Sequence, residues 1–305
     1  MLSLTLKTSL RCASFSLLAA LCSSALGETV AMPFLSLDGD ARAIGIGGAY
    51  TALAEDSNAM TYNPGGLGFA PREVSFMHSE QMTGTHQEHL AGSVDGFGWQ
   101  ADYVDLGRVQ QTTLANPDGA GLGSVSSNDA AVALGYGRAL APSLSVGGAV
   151  KYARESLAGV SASGFAADLG LLYRLSENVR FGGSIRNMGP SVRYISETSP
   201  LPLEGRVGAA WTSGGKMPLT LASDVIPGRE GVRYGIGGEL LMGGLVPLRV
   251  GYDSRNDVGL GLTAGVGVRL AALRFDYAVV PYGELGYGHR VSLTWRFQST
   301  GAPGR

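Results

Sequence analysis

Cysteine is nearly absent from this chain: of 305 residues only Cys12 and Cys22 are cysteine, and both fall in the first 22 positions. That excludes a disulfide framework and a cysteine-ligated metal centre from everything that follows. Charge is scarce too, with 16% Asp, Glu, Lys and Arg and a formal net charge of −2. No basic stripe is available for nucleic acid. Beyond the first 27 residues no apolar run reaches the roughly 18 residues of a membrane-spanning helix. Histidine occurs only four times, at loop-like positions and without a recognisable nucleophile signature. A triad hydrolase is therefore not expected, and neither is any other enzyme.

What the chain does have is 45% hydrophobic residues and 47 glycines. Residues 1–27 read as a secretory signal. Lys7 and Arg11 make the basic start, Phe15 to Ala20 the apolar centre and Ala25-Leu26-Gly27 a small-x-small cleavage site. Cleavage would remove both cysteines. Lipid attachment at Cys22 is not expected, because the preceding Ala19-Ala20-Leu21 does not end in a small residue.

From about Ala130 onward, large apolar residues alternate with small or charged ones. In the last such run Val291, Leu293, Trp295 and Phe297 form one face, and Arg290, Ser292, Thr294 and Arg296 the other. A secreted chain without helical spans but with this period of two fits a transmembrane antiparallel up-and-down β-barrel, apolar side to lipid, in the outer membrane. The pattern predicts about fourteen strands. They cover 72–79, 88–94, 97–106, 129–137, 143–153, 162–174, 178–186, 203–212, 217–225, 231–241, 246–253, 258–269, 272–279 and 289–297.

Connections alternate in length, as such barrels require. Asp95-Gly96, Arg138 to Pro142, Leu175 to Glu177, Ser213 to Lys216 and Leu270-Ala271 are short; Gly107 to Asn128, Asn187 to Pro202 and Val280 to Gly288 are long. Pro142, Pro190, Pro200, Pro202, Pro227 and Pro281 are placed in links, and Pro218 and Pro247 at strand starts. Tyr136, Tyr152, Tyr173, Trp211, Tyr252 and Trp295 sit near strand ends on the apolar face, where an aromatic girdle belongs.

Ahead of the first strand, Ala41 to Ala54 reads as a small-residue helix or compact loop, followed by turn residues Glu55 to Asn58. The run Gly39-Asp40-Ala41-Arg42-Ala43-Ile44-Gly45-Ile46-Gly47-Gly48-Ala49-Tyr50, with Tyr62-Asn63-Pro64-Gly65-Gly66-Leu67 and the closing Tyr282-Gly283-Glu284-Leu285-Gly286-Tyr287-Gly288, resembles the PorV/PorQ family. That family belongs to the FadL-like group of outer-membrane transporters of long-chain fatty acids and other hydrophobic compounds. The resemblance implies a fourteen-stranded barrel over 72–297, a lumenal hatch over 28–71 and a short tail at 298–305. Gly45, Gly47, Gly48, Asn63, Pro64 and Gly65 are the hatch residues it points to, with Gly65 where the group's Asn-Pro-Ala element has alanine.

It also implies transport of hydrophobic or amphipathic small molecules, with outer-membrane lipid as the surrounding partner and no cofactor. The alternative is a PorV-like role, in which the outer loops hold or shuttle a secreted protein or a secretion-machinery component. An apolar cavity contiguous with the hatch would favour transport, and a filled lumen with exposed apolar loop tips would favour the partner role.

Residues out of phase with the apolar set are the lumen-facing candidates: Lys151, Asp168, Arg180, Arg186, Arg206, Asp224, Arg233, Glu239, Arg249, Asp253, Arg269, Arg274 and Asp276, with Arg290 and Arg296. Arginine forks could guide a carboxylate, with Arg180 and Arg249 as the positions to test. They could equally pair with the acids to hold barrel and hatch together, as buried charges demand. His78, His86 and His89 with Glu80 and Glu88 read as a polar hairpin rather than a metal site, and His289 shows no partner.

Overall fold

The computed structural model describes residues 29–81, 84–229 and 231–297. The expected signal segment 1–27 and tail 298–305 lie outside the described residues. Among the described residues the strands are β1 (Glu73–Glu80), β2 (His86–Val94), β3 (Phe97–Gln110), β4 (Ser124–Ala141), β5 (Leu144–Leu157), β6 (Val160–Arg174), β7 (Val179–Met188), β8 (Val192–Tyr194), β9 (Glu197–Ser199), β10 (Glu204–Thr212), β11 (Leu219–Gly228), β12 (Gly231–Met242), β13 (Val246–Asp253), β14 (Leu262–Arg269), β15 (Leu273–Pro281) and β16 (Tyr287–Arg296).

Fourteen of these close an antiparallel barrel in chain order, with β8 and β9 apart as a two-stranded hairpin. Closure is made by β1 on β16, from Glu73 opposite Arg296 to Glu80 opposite His289. Each of the fourteen barrel strands thus has two neighbours, and the barrel has no open edge. The start of β1 and the end of β16 lie at the end that carries the tight links, here the turn end; the opposite end is the loop end. Among the described residues no helix is long and apolar enough to cross a membrane.

The period of two in the sequence becomes two faces of the wall. On β4, Val132, Leu134 and Tyr136 are exposed and point outward, while Ala131 and Ala133 between them are buried inside. The same holds around the ring for Phe165, Phe181, Ile236, Val250 and Leu293. A continuous apolar outer belt of this extent is what a lipid phase stabilises and water does not. Tyr136, Tyr152, Tyr173, Trp211 and Trp295 are exposed on that belt, and Tyr252 stacks on Tyr234 at 5.8 Å.

Several expected boundaries move. The third to sixth strands run further toward the loop end than 106, 129, 153 and 162. The pattern breaks there because β3 shifts register between Asp105 and Arg108, with Gly107 at φ 77°. Past that bulge, Ser124 to Asn128 are mostly polar, yet the ladder continues. The last long strand before the β14–β15 turn begins at Leu262 rather than 258, and the link 187–202 contains the β8–β9 hairpin.

Pro227 and Pro281 lie in strands rather than links. Pro227 is tolerated because the β10–β11 register skips from Glu204 opposite Gly228 to Val207 opposite Val225, so no donor is needed from it. Pro281 is the last residue of its strand.

Candidate functional site: the N-terminal segment within the barrel

Residues 29–72 pack against the inward faces of the strands. A 3-10 turn spans Pro33–Ser36, a short helix Ala41–Gly45, a helical turn Ala59–Tyr62 and a second 3-10 turn Pro64–Phe69. Asp40 caps the short helix, its side chain accepting the Arg42 N–H at 3.2 Å. Tyr50, Met60, Tyr62 and Leu67 are fully buried and share a cluster with wall residues Ala133, Ala149, Ala210 and Ala222. At the loop end Ala31, Met32, Phe34 and Leu35 form a second cluster with Val192 and Leu201, so the β8–β9 hairpin sits over the start of the segment. Glu155 fastens this cover by accepting from the Met32 N–H at 2.8 Å and the Tyr194 hydroxyl at 2.6 Å.

Much of the glycine content is explained here. A Cβ on Gly147 would run into the Pro64 carbonyl, one on Gly182 into Thr51, and ones on Gly237 and Gly251 into the backbone of Ile46 and Gly47. The wall and the segment therefore meet backbone to backbone, which only glycine allows. Gly65 obeys the same rule from the other side: an added Cβ would sit 2.6 Å from the Leu171 Cα, so alanine does not fit against β6. Gly47 also needs its φ of 69°. Asn63, two residues before Gly65, uses its whole amide. Its Nδ2 donates to Thr51 O at 2.9 Å and Leu171 O at 2.8 Å, and its Oδ1 accepts from Gly65 N at 3.1 Å.

The second set of attachments is ionic. Arg42 donates twice to Glu239, at 2.9 and 3.0 Å. The same carboxylate takes Arg249 at 2.7 Å and Arg269 at 2.6 Å. Arg249 continues to Asp276 at 2.8 Å. Arg274 reaches Asp276 at 2.8 Å and, in the segment, Asp40 at 3.4 Å and Asp56 at 3.7 Å. Asp224 accepts from the Tyr50 and Thr51 N–H groups and the Thr51 hydroxyl. Burial pushes the Asp40 carboxyl up to about 6; Arg274 pulls it down, and Asp276 and Asp56 add to the rise. Burial also keeps the Tyr50 phenol protonated well above its ordinary range, so it donates to Asp56 at 2.5 Å.

The lumen-facing candidates divide clearly. Lys151, Asp168, Arg186, Arg206, Asp224, Glu239, Arg249, Asp276 and Arg290 are buried; Arg180, Arg233, Asp253, Arg269 and Arg274 are half-buried, and Arg296 is exposed. Arg249 is not an open hook: both of its partners are carboxylates within 2.8 Å. Arg180 has Glu55 at 3.9 Å. Lys151 pairs with Asp168 at 2.6 Å, and Arg186 and Arg206 share Glu204. Asp253 pairs with Arg255, which also holds Asp38.

Asp38, Asp40, Arg42, Glu55 and Asp56 were not among the candidates, although charges inside so apolar a segment signal buried partners. His89 departs from the polar-hairpin reading, being buried and bonded to Asp102 at 2.6 Å. His289 meets the Tyr277 hydroxyl at 2.7 Å. Among the described residues no group of three or more His, Cys, Asp or Glu could hold a metal.

Cavities flank the segment. One of about 240 Å3 at the loop end is lined by polar Asp38, Gln87, Asn256 and Arg290 together with Ile44 and Val280. One of about 180 Å3 lies at the turn end, beside Leu270–Leu273. The large apolar concavity, about 860 Å3 among Trp211, Leu221, Ile236 and Val250, is on the outer surface of the wall rather than against the segment's apolar cluster.

No protein-family model matches the chain, and no curated protein matches it. Solved structures do. The chain is similar to the CymD monoaromatic hydrocarbon channel at 12% identity, TM-score 0.58, over 86% of this chain and 98% of that one. It is similar to the Ralstonia pickettii toluene transporter TbuX at 14% identity, TM-score 0.56, over 86% and 99%. A Pseudomonas aeruginosa FadL homologue matches at 11% identity, TM-score 0.51, over 82% and 96%. At these identities the likeness is one of fold: this chain has the fourteen-stranded barrel of FadL-like proteins.

Proposed function

We propose that the protein is an outer-membrane channel for hydrophobic or amphipathic small molecules, with residues 29–72 as a hatch that must shift for passage. The observation that carries this is the combination of an apolar outer belt with a lumen closed by a segment held partly through ion pairs. The likeness in fold to hydrocarbon channels supports the substrate class. The turn end would face the periplasm and the loop end the outside. The loop-end cavity, between Pro33–Asp38 and the strands β12 to β16, would receive the substrate, and Gly47 and its neighbours would serve as the hinge.

Uptake of a labelled monoaromatic hydrocarbon and of a long-chain fatty acid by cells with and without the chain tests the reading. Severalfold faster uptake of at least one is expected. In planar bilayers the full chain should conduct few ions, whereas a variant lacking 29–72 should conduct strongly. Equal uptake with and without the chain would sink the transport reading.

A second reading keeps one observation in its favour. Leu114, Ile195, Leu260, Leu285 and Tyr287 are exposed at the loop end, at 106, 77, 79, 54 and 65%, and the large apolar concavity lies on the outer wall rather than against the segment beneath them. Such tips suit docking of a secreted protein, as in a PorV-like role. Crosslinking from position 195 on intact cells would capture a discrete protein if that reading holds.

A further inference from the structure

The turn-end cavity has a chemistry that transport of an apolar compound does not use. Its wall presents four guanidinium groups, those of Arg42, Arg269, Arg274 and Arg296, against a single carboxylate, Glu73. The other acids of the network lie behind this wall, and their oxygens are already shared. Glu239 serves Arg42, Arg249 and Arg269 at once, and Asp276 serves Arg249 and Arg274. Glu73 is engaged by Ser57 through one oxygen and by Arg296 through the other.

Donors are left over. The Arg269 Nε has no hydrogen-bond partner. Arg296 places both Nε and Nη2 on one Glu73 oxygen, at 3.2 and 3.1 Å, with its side chain half in solvent. The Thr294 hydroxyl lines the same space and accepts from Arg274 at 3.2 Å. Arg274 also meets Asp40 and Asp56 at 3.4 and 3.7 Å, so the network as a whole is balanced. The face turned to the cavity is not: four guanidiniums line it against one carboxylate, and a local excess of like charge in a partly desolvated site favours an additional anion.

We propose that this cavity is an anion site for a phosphate group, gripped by Arg269, Arg274 and Arg296 and reaching Arg42 of the hatch. Guanidinium forks match the oxygens of phosphate, and a dianion uses several of them at once. The volume of about 180 Å3 admits a phosphate with a few waters, at about 30 Å3 per water. Because Arg42 belongs to the N-terminal segment and the other three belong to β14, β15 and β16, an occupant ties the segment to the wall at this end. The ligand is either free phosphate or the phosphate of a lipid headgroup, since the cavity lies at one end of the apolar belt.

Titration calorimetry of the full chain in neutral-lipid nanodiscs, with inorganic phosphate at constant ionic strength, tests the site. Saturable binding is expected, with Arg269→Gln and Arg296→Gln each weakening it at least fivefold and the double variant abolishing it. Arg154→Gln, at an exposed position near the loop end, should bind as the unaltered chain does. Phosphate should also slow hydrogen exchange at Ala41–Gly45 in the unaltered chain and not in the double variant. Nanodiscs containing phosphatidic acid separate the sources: competition with phosphate identifies a headgroup, and undiminished binding identifies the free ion. No saturable binding to the unaltered chain, or full affinity in a correctly folded double variant, overturns the proposal.

Discussion

The N-terminal segment is attached in two physically different ways along its length. Residues 46–68 lie against wall glycines at Gly147, Gly170, Gly182, Gly237 and Gly251, backbone on backbone. Residues 38–42 are held through side-chain charges, Asp38 to Arg255, Asp40 to Arg274 and Arg42 to Glu239. In the first attachment the glycine contacts themselves involve no titratable group and tolerate no added atom, although Glu55, Asp56 and Asp224 add polar contacts between them. The second tolerates small shifts, but its strength depends on protons and ions. Separation of segment from wall should therefore begin at Asp38–Arg42, where solution conditions can act, and the glycine-lined stretch should follow.

The largest effect expected from this contrast is at the glycine-lined stretch. Gly147→Val would drive a branched side chain into the Pro64 carbonyl, costing about 3 kcal/mol or more in overpacking. The barrel ladder is elsewhere intact, so the loss should appear as displacement of the segment. Trypsin cleavage at Arg42 of the folded barrel, slow in the unaltered chain, should become rapid. If cleavage at Arg42 is unchanged, the close approach of wall and segment is wrong.

Asn63→Ala comes next. It leaves the Thr51 and Leu171 carbonyls without the donor they have now, at about 1–3 kcal/mol per buried group. A total near 3 kcal/mol should lower protease resistance at any pH between 5 and 8, because no ionisable group is involved. A strong pH dependence of this variant's defect would erase the distinction between the two attachments.

How much of this was legible in the sequence follows from the same contrast. The outer face was readable because lipid imposes one rule on every outward residue, so Val291, Leu293, Trp295 and Phe297 announce a strand without reference to any neighbour. The inner face was half readable. Arg249 and Asp276 could be placed in the lumen by phase, but their being partners at 2.8 Å depends on the β13–β14–β15 register. The glycines carried no phase signal of their own, because what each one admits is a backbone from far away in the chain, as Gly147 admits Pro64. The strand extensions at Ser124 and Leu157 were hidden for another reason: above the apolar belt both faces of a strand are polar, and period two has nothing to act on.

The smallest effect, and the one that most directly probes the charged attachment, is at Asp40. In the packed segment its carboxyl is pushed up to about 6 from an ordinary 3.8 by burial, with Asp276 and Asp56 nearby and Arg274 only partly compensating. The raised value means that docking favours the protonated form. The stabilisation is complete below about pH 4 and is lost as pH rises through 6. Between pH 4.5 and 7 the segment should loosen by roughly 1–2 kcal/mol from this group alone. Hydrogen exchange at Ala41–Gly45 should accordingly be faster at pH 7 than at pH 5 after correction for the intrinsic rate, while the Asn63–Phe69 amides show no such change. Asp40→Asn keeps a side chain able to cap the helix and replaces the titrating carboxyl with a neutral amide. In that variant the corrected rates at the two pH values should converge, and a difference that persists would place the pH sensitivity in some other group.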